Sequence, residues 1–315
     1  MTKFAFVFPG QGSQTVGMLA GFDGDSAVQQ TLQEAGEVLG FDIGKLMAEG
    51  PKEELDLTTN TQPVMLTAAV AVWRAWLAAG GARPAYVAGH SLGEYSALVA
   101  AGVLSFADAL PLVRFRAQVM QEAVPLGVGG MAVVLGLADD DVRAVCAQAE
   151  LDVAGSVVQA VNYNAPAQVV IAGNNDALER ACVLAKEKGA KRAMRLPVSA
   201  PFHSSLLQPA SLRLREYLQN VAILAPQIPL INNVDVAQVD SAEAIRDALV
   251  RQAANPVRWV ETVQKMAADG VTRVTECGPG KVLMGLNKRI ESGIIADGIF
   301  DQASMQQVLQ AMSVA

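Results

Sequence analysis

Tyr86-Val87-Ala88-Gly89-His90-Ser91-Leu92-Gly93, followed by a helical run over 94–101, is the stretch on which the reading of this chain turns. A short apolar strand, a sharp glycine-flanked turn and a helix succeed one another. In such a turn the central serine sits on strained backbone with its hydroxyl lifted clear of the sheet, and the flanking glycines are needed because a Cβ would collide. Gly-x-Ser-x-Gly pentads also arise by chance, but the strand-to-helix setting favours a nucleophile at Ser91. A serine nucleophile needs a base, and the chain has two histidines in 315 residues. His90 adjoins Ser91 within the turn, where neighbouring side chains diverge, so it reads as a packing residue. His203 is left by elimination. It lies in Leu196-Pro197-Val198-Ser199-Ala200-Pro201-Phe202-His203-Ser204, where two prolines end an extended segment and the histidine opens an apolar helical pattern. That is a position at the rim of a cleft, and the order serine before histidine is one that hydrolase-type sites use.

Working outward, a chain that is 51% hydrophobic over this length can bury a large core, with one big domain and a smaller one attached. A net charge of −7 argues against a general nucleic-acid binder. Cys146, Cys182 and Cys277 show neither paired nor ligand spacing, which fits a reducing cytoplasm without disulfides or a zinc site. With so few histidines and no clustered acids, no metal is expected. Met1-Thr2-Lys3-Phe4 lacks a cleavable signal pattern, so a cytoplasmic location is expected. The apolar stretch 64–79 carries Arg74 and is short for a membrane span; it reads as a buried helix begun by Thr61-Gln62-Pro63.

Strands and helices alternate along the chain. A strand over 3–8 leads into Pro9-Gly10-Gln11-Gly12-Ser13-Gln14, which lacks the third glycine of a dinucleotide fingerprint. Gly278-Pro279-Gly280-Lys281 follows a strand over 271–275, misses the spacing of a phosphate loop and reads as a helix start. After the glycine-rich hinge Pro125-Leu126-Gly127-Val128-Gly129-Gly130 come a strand at 131–135, a helix at 139–149, strands at 157–161 and 168–172, a helix at 176–188 and a strand at 192–196. The order βαββαβ makes a four-stranded antiparallel sheet with two helices on one face, the ferredoxin-like arrangement. Its ends near Gly127 and Ser199 should lie side by side, so 127–199 reads as an insertion into a larger body formed by 1–126 and 200–315. The expected class is α/β: an α/β-hydrolase-like domain with a parallel-sheet core, plus the inserted ferredoxin-like subdomain. Ser91 belongs to the body and His203 follows the insertion, so the cleft between them should hold the reaction.

The Pro9-Gly10-Gln11-Gly12 loop, the Gly89-His90-Ser91-Leu92-Gly93 turn, Arg116, Ala200-Pro201-Phe202-His203, Asn255-Pro256-Val257 and Gly278-Pro279-Gly280-Lys281 together resemble the malonyl-CoA:acyl-carrier-protein transacylases of bacterial type II fatty-acid synthesis. The resemblance runs nearly end to end. It implies that Ser91, with His203 as base, attacks the thioester of malonyl-CoA to form a malonyl-serine ester. It puts the oxyanion hole on the backbone N–H groups of Gln11 and Leu92. It makes Arg116, rather than Arg114, the guanidinium fork that grips the malonyl carboxylate, on a helix that Pro111 should kink or delay. Gln252 would orient His203 through its main-chain carbonyl, in place of a triad acid. Gln62 and Asn162 fall at pocket and hinge positions, and Phe202 with Leu92 matches the malonyl-using pattern rather than the methylmalonyl-using one. No cofactor is implied beyond the substrate malonyl-CoA and the pantetheine arm of the carrier.

The implied second substrate is an acyl carrier protein, typically acidic, so a local basic patch must dock it on this acidic chain. The candidates are Lys186, Lys188, Lys191, Arg192 and Arg195, or Lys281, Lys288 and Arg289. A monomer without nucleic-acid or membrane partners is expected. A trans-acting polyketide acyltransferase or the malonyltransferase subunit of malonate decarboxylase would carry the same residues. A serine esterase or thioesterase shares the turn but passes the acyl group to water, and a silent carrier-docking module would need neither Ser91 nor His203.

Overall fold

The computed structural model describes residues 3–198 and 200–313. Met1, Thr2, Val314, Ala315 and Ser199, at the far end of the expected insertion, lie outside the described residues. Strands β1 (Phe4–Phe8), β2 (Tyr86–Gly89), β7 (Leu230–Ile231), β8 (Arg273–Cys277) and β9 (Ile295–Ile299) form one parallel sheet in the order β7-β2-β1-β8-β9. β1 is apolar without alternation because both its faces are covered: Phe4, Phe6 and Phe8 enter one core and Ala5 and Val7 the other. In the register Phe8 stands beside Gly89, so the loops that leave β1 and β2 emerge together at the carboxyl edge of the sheet. That edge is where open parallel sheets place their ligands.

Strands β3 (Gly129–Leu135), β4 (Val158–Ala165), β5 (Gln168–Asn174) and β6 (Arg192–Arg195) form a second, antiparallel sheet in the order β4-β5-β3-β6. With the helices Asp139–Asp152 and Asn175–Glu187 they follow the βαββαβ order read from the periodicity. The alternation decides how this sheet sits. Ala132, Val134, Val169 and Ile171 pack with the two helices, whereas Met131, Val170 and Ala172 join the main core.

Two helix starts differ from the sequence reading. The buried helix begins at Thr58, not at Pro63, and runs as Thr58–Ala78 with Pro63 inside. The turn before the proline has its own anchors: the N–H groups of Asn60 and Thr61 donate to Leu57 O, and Thr61 Oγ1 donates to Leu55 O at 2.7 Å. Pro111 does not delay its helix either, which runs Phe106–Glu122 from the N-cap Ser105. Pro111 and Ala107, whose carbonyl the missing N–H would have met, both face solvent, where water can satisfy the freed oxygen. Among the described residues no helix is long and apolar enough to cross a membrane.

Candidate active site

Ser91, in the turn two residues past β2, has φ +52°, a left-handed conformation that costs a non-glycine residue about 1–3 kcal/mol. The fold enforces it by close packing. A Cβ on Gly89 would strike the Gly93 carbonyl, and one on Gly93 would strike the carbonyl of Phe8, so the flanking glycines let the turn and the Pro9-Gly10-Gln11 loop touch. His203 also has positive φ, +66°. Its Nε2 lies 2.7 Å from Ser91 Oγ, and its Nδ1 lies 2.8 Å from the main-chain oxygen of Gln252. Nδ1–H donates to that carbonyl, which leaves Nε2 as the acceptor for the serine proton. The carbonyl belongs to the last residue of the helix Ala242–Gln252, where helix oxygens lack an intrahelical partner and carry partial negative charge.

Arg116 is 1% exposed, while Arg114 on the same helix faces solvent beside Phe41. The buried fork is held by neutral acceptors: Nη1 donates to Gln62 Oε1 at 2.8 Å and Nη2 to Gln252 Oε1 at 2.9 Å. Nη2 also reaches Ser91 Oγ at 3.2 Å. Burial foremost, and the Arg116 charge next, push the His203 imidazole down to about 3, so it stays neutral at physiological pH.

A cavity of about 120 Å³ brings together Gln11, Gln62, Ser91, Leu92, Arg116, Asn162, Phe202 and His203. Every site residue read from the sequence except Gln252 lines it, and Gln252 lies directly behind Arg116 and His203. Leu92 N–H, at the start of the helix Gly93–Ala100, and Gln11 N–H have no hydrogen-bond partner among the described residues. Asn162 Oδ1 is buried and likewise unpartnered among them. His90 does not meet Ser91 Oγ; it bonds Asn164 Oδ1 at 2.7 Å and packs against Trp259. Two larger clefts adjoin the cavity. One of about 400 Å³ shares His203 and is lined by Arg143, Tyr163 and Asn255, and one of about 510 Å³ shares Gln11, Leu196 and Val198. Chemically, the arrangement can draw a proton from Ser91, hold an oxyanion on two main-chain donors and pair a buried guanidinium with an acyl anion.

The chain matches the acyl transferase domain family over residues 5–302. It is 52% identical to the malonyl CoA-acyl carrier protein transacylase of Salmonella typhimurium, over 98% of this chain and 99% of the relative. The chain belongs to the malonyl CoA-acyl carrier protein transacylase family. Within this transacylase family, a crystal structure of an acyl-carrier-protein S-malonyltransferase from Burkholderia pseudomallei superposes with a TM-score of 0.96 at 66% identity, covering 98% of this chain and 100% of that one. A malonyl-transacylase solved in complex with a type II polyketide acyl-carrier protein superposes with a TM-score of 0.96 at 49% identity, over 98% and 100% of the two chains.

Glu94, Asn233 and the side chain of Gln252 escaped the sequence reading of this transacylase. Asn233 Oδ1 accepts from Ser91 N–H at 2.8 Å and its Nδ2 donates to Gly89 O at 2.6 Å, so one amide straddles the serine turn. Glu94 Oε2 accepts from Asn233 N–H at 3.0 Å and from Gln252 Nε2 at 2.9 Å. A carboxylate inside an otherwise apolar helix was the available signal for Glu94. Nothing local marks Asn233.

Proposed function

We propose that this chain transfers the malonyl group of malonyl-CoA to the pantetheine thiol of an acyl carrier protein, supplying units for fatty-acid synthesis. The observation that carries the reading is the Arg116 fork, buried, held by neutral oxygens and 3.2 Å from Ser91 Oγ. An acetyl group gives such a fork nothing to bind, whereas the free carboxylate of a malonyl group can pair with it.

In the first half-reaction the Ser91 proton passes to His203 Nε2 as Oγ attacks the thioester carbonyl. The developing oxyanion meets the N–H groups of Gln11 and Leu92, each donor being worth about 3–4 kcal/mol. Collapse breaks the carbon–sulfur bond, the CoA sulfur takes the proton from His203, and malonyl-Ser91 remains. In the second half-reaction the carrier thiol gives its proton to His203, attacks the ester and restores Ser91. The Gln252 carbonyl holds the imidazole in the required tautomer. Gln62 holds the fork, Asn162 Oδ1 offers an acceptor to the incoming arm, and Phe202 with Leu92 leaves little room for an α-methyl group.

We read residues 1–126 with 200–315 as the body that carries Ser91 and His203, and 127–199 as the insertion that walls the cleft. For carrier docking, β6 supports the first of the two basic sets. Lys191 and Arg192 are exposed at this edge strand, have no carboxylate partner among the described residues, and precede the cavity residues Leu196 and Val198. Lys188 is paired with Asp141 and Arg195 with Glu179. Arg289 is engaged with Gln168 Oε1 and Pro166 O, which leaves Lys288 as the cation of the second set's helix without a partner among the described residues.

The deciding experiment weighs the intact chain after mixing with malonyl-CoA or acetyl-CoA. A malonyl adduct is expected on the wild-type chain and not on Ser91→Ala, slow to hydrolyse and discharged by holo carrier protein. Rapid release of free malonate without a carrier would overturn the reading in favour of a hydrolase.

A further inference from the structure

Glu94 lies three residues past Ser91, on the first turn of the helix Gly93–Ala100, and is 2% exposed. Its Oε2 receives two hydrogen bonds, and both donors face back toward the reacting groups. Gln252 Nε2 is shared between Glu94 and the Ser91 main-chain oxygen at 3.0 Å, while Gln252 Oε1 takes Arg116 Nη2 and its carbonyl takes His203 Nδ1. Asn233, fastened to Glu94 through its N–H, clamps the serine turn with its amide. The chemistry above uses no atom of Glu94.

Resting on that reading of the site, we propose that Glu94 is a positioning residue: by fixing Gln252 and Asn233 it sets where the Arg116 fork and the Ser91 turn stand, and it acts as a hydrogen-bond acceptor rather than as a counter-charge.

Three observations support the acceptor role. Among the described residues Arg116 forms no ion pair, and the Gln252 amide stands between it and Glu94. A carboxylate in direct contact would compete with the acyl anion for the fork; an amide relay orients the fork and leaves its charge to the substrate. Burial also pushes the Glu94 carboxyl up to about 7, against the hydrogen bonds from Gln252 and Asn233 and the lesser pull of the Arg116 charge, so the neutral form is within reach at physiological pH.

The test compares Glu94→Gln with Glu94→Asp. Glutamine keeps an acceptor oxygen at the same reach without charge. Aspartate keeps the charge but is one methylene too short to receive both donors. Loading with malonyl-CoA and with acetyl-CoA is followed by intact mass, with thermal melts as a check of folding. Glu94→Gln is expected to hold the malonyl-to-acetyl loading ratio within about threefold of wild type, and Glu94→Asp to lower it by about tenfold or more. The reverse order, with aspartate better than glutamine, would show a need for charge and overturn the proposal. Equal losses for both acyl groups, or no loss in either variant, would overturn it as well. If the aspartate variant does not fold, a tenfold fall in the glutamine variant alone refutes it. Wild-type chain that accepts no malonyl group refutes the functional reading itself, whereas normal wild-type loading with the wrong order of variants refutes only the role of Glu94.

Discussion

Arg116 and His203 meet the same residue from different sides: Arg116 Nη2 donates to the side-chain oxygen of Gln252 at 2.9 Å, and His203 Nδ1 donates to its main-chain oxygen at 2.8 Å. The buried guanidinium and the imidazole are therefore registered against each other through one buried residue. On the roles proposed for them, a displacement of Gln252 disturbs both substrate grip and proton transfer.

On the proposed role, replacing Arg116 by alanine removes one partner of the buried charge pair that the malonyl carboxylate would form. Losses of this kind run to about 2–5 kcal/mol, so malonyl loading should fall about 30-fold or more while acetyl loading changes little. Loading rates from intact mass, compared between the two thioesters, check this; parallel losses would contradict the role.

Because His203 is held far below the usual imidazole range, malonyl loading should show no fall centred near pH 6.5. Rates measured per active site between pH 5 and 8 should lie on a plateau. A midpoint near 6.5 would mean that the base titrates in bulk solvent during turnover.

Stability should depend on pH through opposing buried groups. His203 sits at about 3 when folded against 6.5, so between those values the unfolded chain binds more protons and stability is lost as pH falls. Burial shifts His90 in the same direction. Glu94 and Glu276 are raised from 4.5 to about 7, so between those values the folded chain binds more protons and stability is gained as pH falls. Urea midpoints should change little from pH 6.5 to 4.5 and then drop below 4.5, where the gain from the raised acids has ended while the histidines and the paired carboxylates held below their usual range, such as Asp56, Asp235 and Asp301, still lose stability. Glu94→Gln removes one of the acids and should make the decline begin nearer pH 6.5.

Gly93→Ala drives a methyl group into the Phe8 carbonyl and should destabilise by roughly 3 kcal/mol or more, with loss of loading. Gly285, in the helix Val282–Ile290, has open space at its Cβ position, so Gly285→Ala should stabilise by up to about 1 kcal/mol. Thermal melts of the two variants check the contrast, since both add the same methyl group.

Charge reversal at Lys191 and Arg192 should raise the apparent KM for holo carrier protein about tenfold, more at low salt than at high, and leave loading from malonyl-CoA unchanged. Separate assays of the two half-reactions decide it. Equal effects on both would remove the β6 edge as the docking surface.

Much of this protein is written in short-range pattern. The strand, glycine turn and helix around Ser91 follow from local sterics, and the βαββαβ order of 129–195 from hydrophobic periodicity, because both depend on residues close in sequence. His203 was legible by scarcity. Helix starts were less so: the turn before Pro63 is held by hydrogen bonds from Thr61 and Asn60 to the carbonyls of Leu55 and Leu57, which composition does not display.

The sequence by itself singled out Ser91 and His203, which the fold brings to 2.7 Å, and the alternation that builds two sheets. Only the tertiary structure decided what surrounds them. Asn233 reaches Ser91 across 142 positions and Gln252 reaches Glu94 across 158. No local spacing encodes such partners; they meet because parallel strands deliver distant loops to one sheet edge, where burial forces each polar group to find another.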